Sequence, residues 1–512
     1  MNAVIVEGDH ILERFDGDEP VIHDKAALLI EDGVVRSIGP VDDLRRTRPD
    51  AQRYGGQGSI IIPGLIDAHH HVGLTPFQAG SPDHALELWF ASRLGLRAID
   101  PRLDTLYSAF EMIASGVTTV QHLHSRAPGG LEGLYRTSEA ILSAYDEIGM
   151  RVSFSMALRD QNRLVYGDDQ AFTASVPEPL RPALSRYFAD YTVPFDDQIN
   201  LSTDLIEAVD KRDRQQVQLA PANLHWLSDP ALDAIAELSA ERDLLMHAHV
   251  LETAYQWDYA RQRTGGSAVD YLAERGLLTH RLTLGHGVWM SEADIERCAD
   301  EGCCICHNCS SNLRLKSGIA PVNRYLAHGL SVALGMDEAG INEDRDMLQE
   351  MRLVKHMHRE PGLDSPAPTG AQVMRMATEH GAKTTPFGNR IGSLSPGSCG
   401  DIVVLDWKTM TWPYQDPALP LADVIVHRAK PNAVRTVLIG GEAVYHEGRF
   451  THVDRASILE QISETLSAPP DADTLERRQL AEDVMPHVRA FYETYDLPVG
   501  VPQGRRNLRG EP

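Results

Sequence analysis

The sequence predicts an α/β protein whose main unit is a (β/α)8 TIM barrel. Between residues 61 and 393, short apolar runs alternate with longer helical patterns. Including the run at the front of this region, eight strand candidates can be read from it: "IIPGLIDAH", "GVTTVQHL", "RVSFSMAL", "QVQLAPAN", "DLLMHAHV", "RLTLGHGV", "GCCICHN" and "LSVALGMD". Eight strands separated by helices over this length fit one barrel.

The two flanks of the barrel have a different texture. Residues 1–60 and 394–450 contain short β-rich runs, such as "ALLIEDGVVRSIG" and "VRTVLIGGEAVYHEGRF", with Gly and Asp at the turns. We expect the two flanks to pack together as one composite β-sandwich domain. Residues 451–512 are polar and helix-prone, which predicts a C-terminal helical extension, placed at a subunit contact of a homodimer or higher homo-oligomer.

Composition excludes several classes of protein. Hydrophobic residues make up 42% and charged residues 24% of the 512 residues, as in an ordinary globular protein. A net charge of −25 argues against a nucleic-acid partner, because phosphate binding needs clustered Lys and Arg. The N-terminus does not resemble a signal peptide, and no apolar run approaches the roughly 20 residues of a membrane span. We therefore expect a cytoplasmic protein without a membrane partner.

Polar residues of the metal-ligand type stand at the ends of the predicted strands. They occur in "DAHHH", "QHLH", "HAHVLE", "GHG", "CHN" and "GMDE". A single His at a strand end is more often structural, but catalytic groups of a TIM barrel lie at the carboxyl ends of its strands. Repetition at successive strand ends therefore favours a functional site.

Strand geometry divides the three histidines of "DAHHH". Alternate side chains of a strand share a face, so His69 and His71 can point into the barrel while His70 points outward. Two imidazoles at this spacing suit zinc or a similar divalent ion. His249 in "HAHVLE" adds a third nitrogen, and Glu252, just beyond that strand, is placed to handle protons.

Two further strand ends complete the candidate site. His286 ends the strand in "LTLGHGV", and Asp337 ends the strand in "VALGMDEAG". A carboxylate beside a metal-bound water is a good proton acceptor, because the metal lowers the pKa of that water from about 15.7 towards 7.

Taken in order, these motifs resemble the amidohydrolase superfamily. The motifs are "PGLIDAHHH", "HAHVLET", "LGHGVWMSEADI", "CHNCSSNLRLKSGIAPVNRYLAHGLSVALGMDEAG" and "MATEHGAKTTPFG". They are most similar to its cytosine, guanine and s-triazine deaminase and chlorohydrolase branch, and the resemblance covers roughly residues 1–450. The flanking β segments also resemble that branch, whose composite β domain comes from both termini.

The resemblance implies roles for the strand-end residues. The metal ligands would be His69, His71, His249 and Asp337. His286 would orient or polarise the attacking water, Glu252 would carry a proton to the leaving group, and Asp337 would take the first proton from the water. The fourth strand has no lysine to bridge two metals, which favours one divalent ion, with zinc expected and iron or manganese also compatible.

Several further residues are candidates for substrate contact, each with a plain structural alternative. Arg159 and Arg163 follow the third strand and could grip a carboxylate or carbonyl, or simply lie on the surface. Trp226 could stack on a planar ring or pack in the core. The other candidates are strand-end residues: His122, His124, His307 and Asn308.

Two segments invite a different interpretation. Four cysteines fall between residues 303 and 309, but one strand cannot surround a tetrahedral ion, so we expect buried thiols rather than a second metal site. "GMDEAGINED" departs from the family pattern, close to Thr-Asp-Gly-x-x-Ser, and places Glu338 beside Asp337. Glu338 is therefore a candidate to change proton transfer or to accept a hydrogen bond from a substrate N–H.

The predicted function is a metal-dependent hydrolase acting on a planar nitrogen heterocycle. Activated water would attack a ring carbon and expel an exocyclic group, with ammonia as the expected product and chloride or sulfide as alternatives. The arginines would suit a substrate with a carboxylate arm, including a thioxo-imidazolidine carboxylate that loses sulfide. Ring-opening hydrolysis of a cyclic amide is a second hypothesis, and a non-catalytic binding protein on the same scaffold is a third.

Overall fold

The structure, a computed structural model, describes residues 3–125 and 127–497. Its strands are β1 (Ala3–Asp16), β2 (Glu19–Glu31), β3 (Val34–Pro40), β4 (Gln52–Gly55), β5 (Ser59–Pro63), β6 (Leu65–His70), β7 (Val117–His124), β8 (Arg151–Leu158), β9 (Gln215–Val217), β10 (Ala220–Pro221), β11 (Met246–Val250), β12 (Leu282–His286), β13 (Cys304–His307), β14 (Ser331–Leu334), β15 (Ile402–Asp406), β16 (Val434–Ile439), β17 (Glu442–His446) and β18 (Arg449–Phe450).

Helices occupy most of the sequence between the central strands. They are α1 (Val41–Thr47), α2 (Pro76–Ala79), α3 (Leu86–Ser92), α4 (Pro101–Ala114), α5 (Gly130–Ile148), α6 (Asp169–Ser175), α7 (Arg181–Asp190), α8 (Phe195–Val209), α9 (Asp229–Arg242), α10 (Ala254–Thr264), α11 (Ala268–Glu274), α12 (Glu292–Asp300), α13 (Cys309–Arg314), α14 (Val322–Ala327), α15 (Met347–Met357), α16 (Gly370–Met376), α17 (Glu379–Lys383), α18 (Trp407–Thr411), α19 (Leu421–Arg428), α20 (Arg455–Ser467) and α21 (Ala472–Tyr492). Among the residues described, no helix has the length and apolar character needed to cross a membrane.

The central strands are parallel and alternate with helices, as the sequence predicts. One sheet has the order β10–β8–β7–β6 with β9 beside β8, and a second has the order β11–β12–β13–β14. Isolated parallel bridges pair His70 with Asp337 and Leu219 with Met246, so they link the ends of the two sheets. The prediction of a TIM-barrel α/β fold is confirmed at this level, and the carboxyl ends of the strands share one edge.

Strands from both flanks form a single nine-stranded sheet. Its order is β18–β17–β16–β15–β5–β1–β2–β3, with β4 beside β1. The join between the flanks is the antiparallel pair of β5 and β15, which sets Pro63 opposite Ile402 and Ser59 opposite Asp406. Apolar side chains of the two flanks, including Val6, Leu28 and Leu438, share one buried cluster.

Two of the predicted strands are interrupted. The run "IIPGLIDAH" divides into β5, which joins the flanking sheet, and β6, which joins the barrel. Between them, the N–H of Gly64 donates to the carbonyl of Asp401, and a Cβ atom at Gly64 would overlap the side chain of Thr118. The fourth strand is likewise split into β9 and β10. Apolar periodicity alone does not indicate such breaks.

The four cysteines between residues 303 and 309 are buried, as the sequence predicts, and the described part of the C-terminal segment contains two helices. Cys303, Cys304, Cys306 and Cys309 are buried thiols without disulfides. Within the predicted extension, α20 and α21 are helical, and Leu480, Val484 and Val488 of α21 pack in a cluster with Ala91 of α3. Helix α21 thereby supports α3, which contributes to the wall of the candidate site.

A buried ion pair ties β8 to the segment that precedes β15. Arg151 Nε and Nη2 donate to the two oxygens of Asp401 at 2.8 and 3.0 Å, and both side chains are 2% exposed. Asp401 also accepts a hydrogen bond from the N–H of Gly440, so one carboxylate serves the barrel and the flanking sheet. A charge left alone at this depth is costly, because neither water nor another cation replaces the partner.

We expect Arg151→Met to lower the free energy of unfolding by about 3–5 kcal/mol, since it leaves Asp401 buried without its cation. The surface pair Arg186–Glu476, whose side chains are 65% and 61% exposed, is the control. Arg186→Met should cost less than about 1 kcal/mol. Urea unfolding measures both values, and equal effects of the two variants would contradict this role of Arg151.

Candidate metal and active site

Four potential metal ligands converge at the carboxyl ends of β6, β11 and β14. The Nε2 atom of His71 lies 3.0 Å from His69 Nε2, 3.1 Å from His249 Nε2 and 3.2 Å from Asp337 Oδ1. His69 Nε2 lies 3.7 Å from the same Asp337 oxygen. Ligand atoms around a tetrahedral zinc ion, each about 2.0–2.1 Å from it, are separated by about 3.3 Å. His71 Nε2 therefore lies at separations typical of zinc ligands from each of the other three atoms.

Backbone carbonyls orient two of these imidazoles. His71 Nδ1 lies 2.5 Å from the carbonyl oxygen of Leu123, and His249 Nδ1 lies 2.9 Å from that of Ala222. A carbonyl oxygen can only accept, so each Nδ1 carries the proton and each Nε2 presents its lone pair to the cluster. The rings are thus in the tautomer that metal binding requires.

The protonation states also suit a cation. Burial, followed by neighbouring imidazoles, lowers the pKa of His69 well below its usual value and that of His249 to about 3. Burial alone would raise the pKa of Asp337, but His71, His286 and the Ser311 hydroxyl outweigh it and hold the pKa below its usual value. Neutral nitrogens and one carboxylate are a donor set typical of zinc and similar divalent ions.

Glu252 and Asp337 lie on either side of His286. Glu252 Oε1 is 3.8 Å from His286 Nδ1, and Asp337 Oδ2 is 3.7 Å from His286 Nε2. Burial, then the negative charges of Asp337 and Glu87, raises the pKa of Glu252 well above its usual value. The two pKa shifts are therefore opposite in direction, which favours an acid at Glu252 and a base at Asp337.

The backbone is strained where these side chains are held. His286 has φ = 71° and Asp337 has φ = 56°, and Leu251, just before Glu252, has φ = 51°. Residues other than glycine rarely occupy this left-handed region, and such positions concentrate at functional sites. Strain at three neighbouring positions agrees with a functional role for this edge of the barrel.

A pocket opens above the cluster. His71, His249, Glu252, His286 and Asp337 line its floor, while its walls include the apolar side chains of Leu86, Trp89, Phe90, Trp226 and Leu315. A concave site with a largely apolar wall and a few convergent polar groups is typical of small-molecule binding.

The predicted substrate contacts Arg159, Arg163, Trp226 and Glu338 all line this pocket. Arg163 Nη1 donates to Asp169 at 2.9 Å, so its charge already has a partner. The guanidinium of Arg159 lies 5.6 Å from the ring centre of Trp226, within cation–π range. Trp226 also meets Phe90 edge-to-face at 5.3 Å.

The other predicted contacts lie elsewhere. Among the residues described, the pocket wall includes none of His122, His124, His307 and Asn308. His122 Nδ1 lies 2.9 Å from the Tyr145 hydroxyl of α5, and His307 Nε2 lies 2.8 Å from His358 Nε2. The ring of His124 lies 6.3 Å from that of His122. Asn308 Nδ2 lies 3.2 Å from His286 Nε2, so it contacts a residue of the site without lining the pocket.

The outward orientation of His70 agrees with strand alternation. His70 Nε2 lies 3.2 Å from Ser108 Oγ of α4, and its ring packs edge-to-face on His122. Its neighbours His69 and His71 point into the cluster, as their Nε2 separation of 3.0 Å shows. One strand therefore supplies two inward imidazoles and one that contacts the helical layer.

Several supporting residues were not predicted as part of the site. His247 Nε2 lies 2.8 Å from His69 Nδ1, the Ser311 hydroxyl donates to Asp337 Oδ2 at 2.6 Å, and Asn312 Oδ1 lies 2.8 Å from His286 Nδ1. Partners of this kind fix ring orientation around metal sites. Ser311 and Asn312 belong to the polar run "CHNCSSN", which could have indicated them. No strand-end pattern indicated the pocket residues Trp89, Phe90 and Arg93.

Comparison with known proteins identifies the family. A model of the amidohydrolase family matches residues 60–444, and the chain belongs to this family. The predicted class, a hydrolase of the amidohydrolase superfamily that acts on carbon–nitrogen bonds other than peptide bonds, is therefore confirmed.

Individual relatives extend over nearly the whole chain. A 5-methylthioadenosine/S-adenosylhomocysteine deaminase of Acetivibrio thermocellus is 27% identical over 471 residues, which cover 91% of this chain and 98% of the relative. A 5'-deoxyadenosine deaminase of Methanopyrus kandleri is 27% identical over 454 residues, which cover 87% of this chain and 95% of that relative. Both relatives are named for deamination.

Solved structures share the fold. An adenosine deaminase from Xanthomonas campestris with bound zinc has a TM-score of 0.77 at 21% sequence identity. The match covers 91% of this chain and 98% of that chain. An atrazine chlorohydrolase from Arthrobacter aurescens TC1, complexed with zinc, also has a TM-score of 0.77, at 20% identity, with coverage of 90% and 100%. None of these proteins is named for sulfide release, ring opening or binding alone, so the alternative functions gain no support.

Proposed function

We propose that the chain removes an exocyclic amino group from a planar nitrogen heterocycle by hydrolysis. Water adds to the ring carbon, the bond from carbon to the exocyclic nitrogen breaks, and ammonia leaves as the ring carbon becomes a carbonyl. The names of the deaminase relatives support this reaction.

The observation that carries the proposal is the pair of unlike carboxyl groups around His286. Glu252 has a pKa raised by burial, and Asp337 has a pKa lowered by its imidazole and hydroxyl neighbours. They lie 3.8 and 3.7 Å from the two nitrogens of one ring, at the floor of the pocket. Hydrolytic loss of an amine needs a base for the water and an acid for the leaving nitrogen.

The residues proposed to hold one divalent ion are His69, His71, His249 and Asp337. The distances from His71 Nε2 to the other three atoms fit this role, and so do the tautomers of His71 and His249. Burial lowers the pKa values of His69 and His249, which favours neutral ligands. Zinc is the expected ion, because the two solved neighbours described above contain it. A bound ion would lower the pKa of a water molecule in the pocket.

The proton steps follow from the side chains around that water. Asp337 Oδ2 takes the first proton, and His286, whose ring lies between Glu252 and Asp337, orients the water. Asn308 and Asn312 contact the ring of His286 and hold it in place. Glu252 then gives its proton to the departing nitrogen, and burial, which raises the pKa of Glu252, favours the protonated form.

A panel of heterocycles tests the proposal. Zinc-loaded protein should release ammonia from at least one amino-substituted purine, pyrimidine or triazine. Chloro- and thioxo-substituted rings in the same panel report chloride or sulfide release instead. A new carboxylate with no free ammonia would assign ring opening, and no turnover of any ring would overturn the enzymatic function.

The finer architecture and setting are proposals as well. The bridges between the two parallel sheets support a closed eight-stranded barrel over residues 61–393, and the shared nine-stranded sheet supports a composite β domain from 1–60 and 394–450. The extension at 451–512, a homodimer or higher homo-oligomer, a cytoplasmic location and a substrate with a carboxylate arm remain predictions from the sequence.

A further inference from the structure

An ion pair in the pocket wall is only half satisfied. Arg93 Nη1 donates to Glu338 Oε1 at 3.0 Å, and the two side chains are 8% and 10% exposed. Glu338 Oε2 and Arg93 Nε are buried and have no hydrogen-bond partner. Arg–carboxylate pairs frequently form two parallel hydrogen bonds, and a charged group left short of a partner in the interior is costly. The pair thus leaves one acceptor and one donor available.

The pair is held rigidly beside the reacting centre. The guanidinium of Arg93 lies 4.4 Å from the ring centre of Trp89, and Glu338 directly follows Asp337 in the chain. All three wall residues, Arg93, Trp89 and Glu338, line the same pocket as Glu252 and His286. The pair therefore borders the same pocket that a planar ring would occupy.

Resting on the function proposed above, we propose that Arg93 and Glu338 select a neutral ring with a lactam edge. In such a ring an N–H and a C=O are neighbours, and the N–H lies next to the carbon that loses its amine. The N–H donates to Glu338 Oε2, and the carbonyl accepts from the guanidinium of Arg93. An edge made only of acceptors is disfavoured, because it would bring lone pairs against the free oxygen of Glu338.

This assignment limits where an anionic arm can lie. A substrate carboxylate near Glu338 would meet a like charge, and Arg93 and Arg163 are each already paired with an acid. Arg93 and Arg163 thus do not form one anion site on this side. Glu338, the residue at which "GMDE" departs from the family pattern, is then the acceptor for the N–H of the ring.

Binding of rings that lack a leaving group tests the selection separately from catalysis. Calorimetry on zinc-loaded protein compares uracil with 3-methyluracil, and xanthine with 1-methylxanthine, each pair differing by one methyl group on the lactam nitrogen. We expect the N–H member of a pair to bind at least about 10-fold more tightly, because its partner leaves a buried carboxylate oxygen unsatisfied.

Glu338→Gln separates hydrogen bonding from shape. Its amide oxygen stays with Arg93 and its NH2 group faces the ring, so the preference for the N–H member should be lost. Glu343→Gln is the matched control, because Glu343 also pairs with an arginine, Arg314, but does not line the pocket. It should keep the preference.

Three results would overturn the inference. They are equal binding of the methylated and unmethylated rings, a preference that survives in Glu338→Gln, and failure of every lactam ring to bind at millimolar concentration. None of these binding results contradicts deamination, which is tested by ammonia release in the panel described above. The two proposals can therefore fail independently.

Discussion

Glu252→Gln should retain the metal content of the wild type and lose about 100-fold or more in turnover. Glutamine has nearly the shape of glutamate; its amide oxygen can accept from Gln256, and its NH2 group can donate to the Ser317 hydroxyl in place of the present bond. It cannot give a proton to the departing nitrogen. Steady-state ammonia release on the best substrate of the panel, together with metal analysis of the same sample, measures the two quantities.

The control for this variant is Glu343→Gln, which removes the same charge from a carboxylate outside the pocket. Its turnover should match the wild type within a few-fold. If Glu252→Gln were as active as Glu343→Gln, Glu252 would have no part in proton transfer. If its metal were lost as well, Glu252 would be a ligand and the proposed set of four would be incomplete.

His69→Ala should lose both the bound ion and activity, whereas His70→Ala should keep the ion. His69 Nε2 faces the ligand cluster, while His70 contacts Ser108 and the ring of His122 on the other face of β6. Both side chains are fully buried, so both variants leave a cavity and some loss of stability is expected from each. Metal content distinguishes them where stability does not.

Folding has to be checked before this comparison is made. Circular dichroism and the urea midpoint of each variant establish that the chain is native. Equal loss of metal from native His69→Ala and His70→Ala would show that alternation on β6 does not decide which imidazole binds the ion.

Much of the fold was predictable because periodicity reports burial. Eight apolar runs separated by helices indicated the parallel strands, and the β-rich flanks indicated a second sheet. The break between β5 and β6 depends on the contact of Gly64 with Thr118, which is far away in sequence. No local pattern contains that information.

The candidate site was predictable to the extent that it follows single strands. Because alternate side chains of a strand share a face, the sequence placed His69 and His71 together. The structure brings both of them close to His249 and Asp337. The same rule did not place His122, because both faces of a barrel strand are buried and the sequence does not tell which face is the inner one. Its Nδ1 meets Tyr145 of α5.

The remainder of the pocket depends on how distant segments pack. Trp89, Phe90 and Arg93 come from α3 and the residues after it, and their place in the wall depends on the packing of α21 against that helix. The pairing of Arg93 with Glu338 joins positions 245 residues apart. Such contacts are decided by tertiary packing, which propensity and spacing do not encode.

One divalent ion, held by residues of three strands, should be needed for the release of ammonia. Chelated protein is titrated with zinc while ammonia release is measured on the best substrate. We expect no turnover without zinc and a linear rise that ends at one equivalent of zinc per chain. Full turnover by the metal-free chain, or a rise that continues to two equivalents, would contradict this expectation.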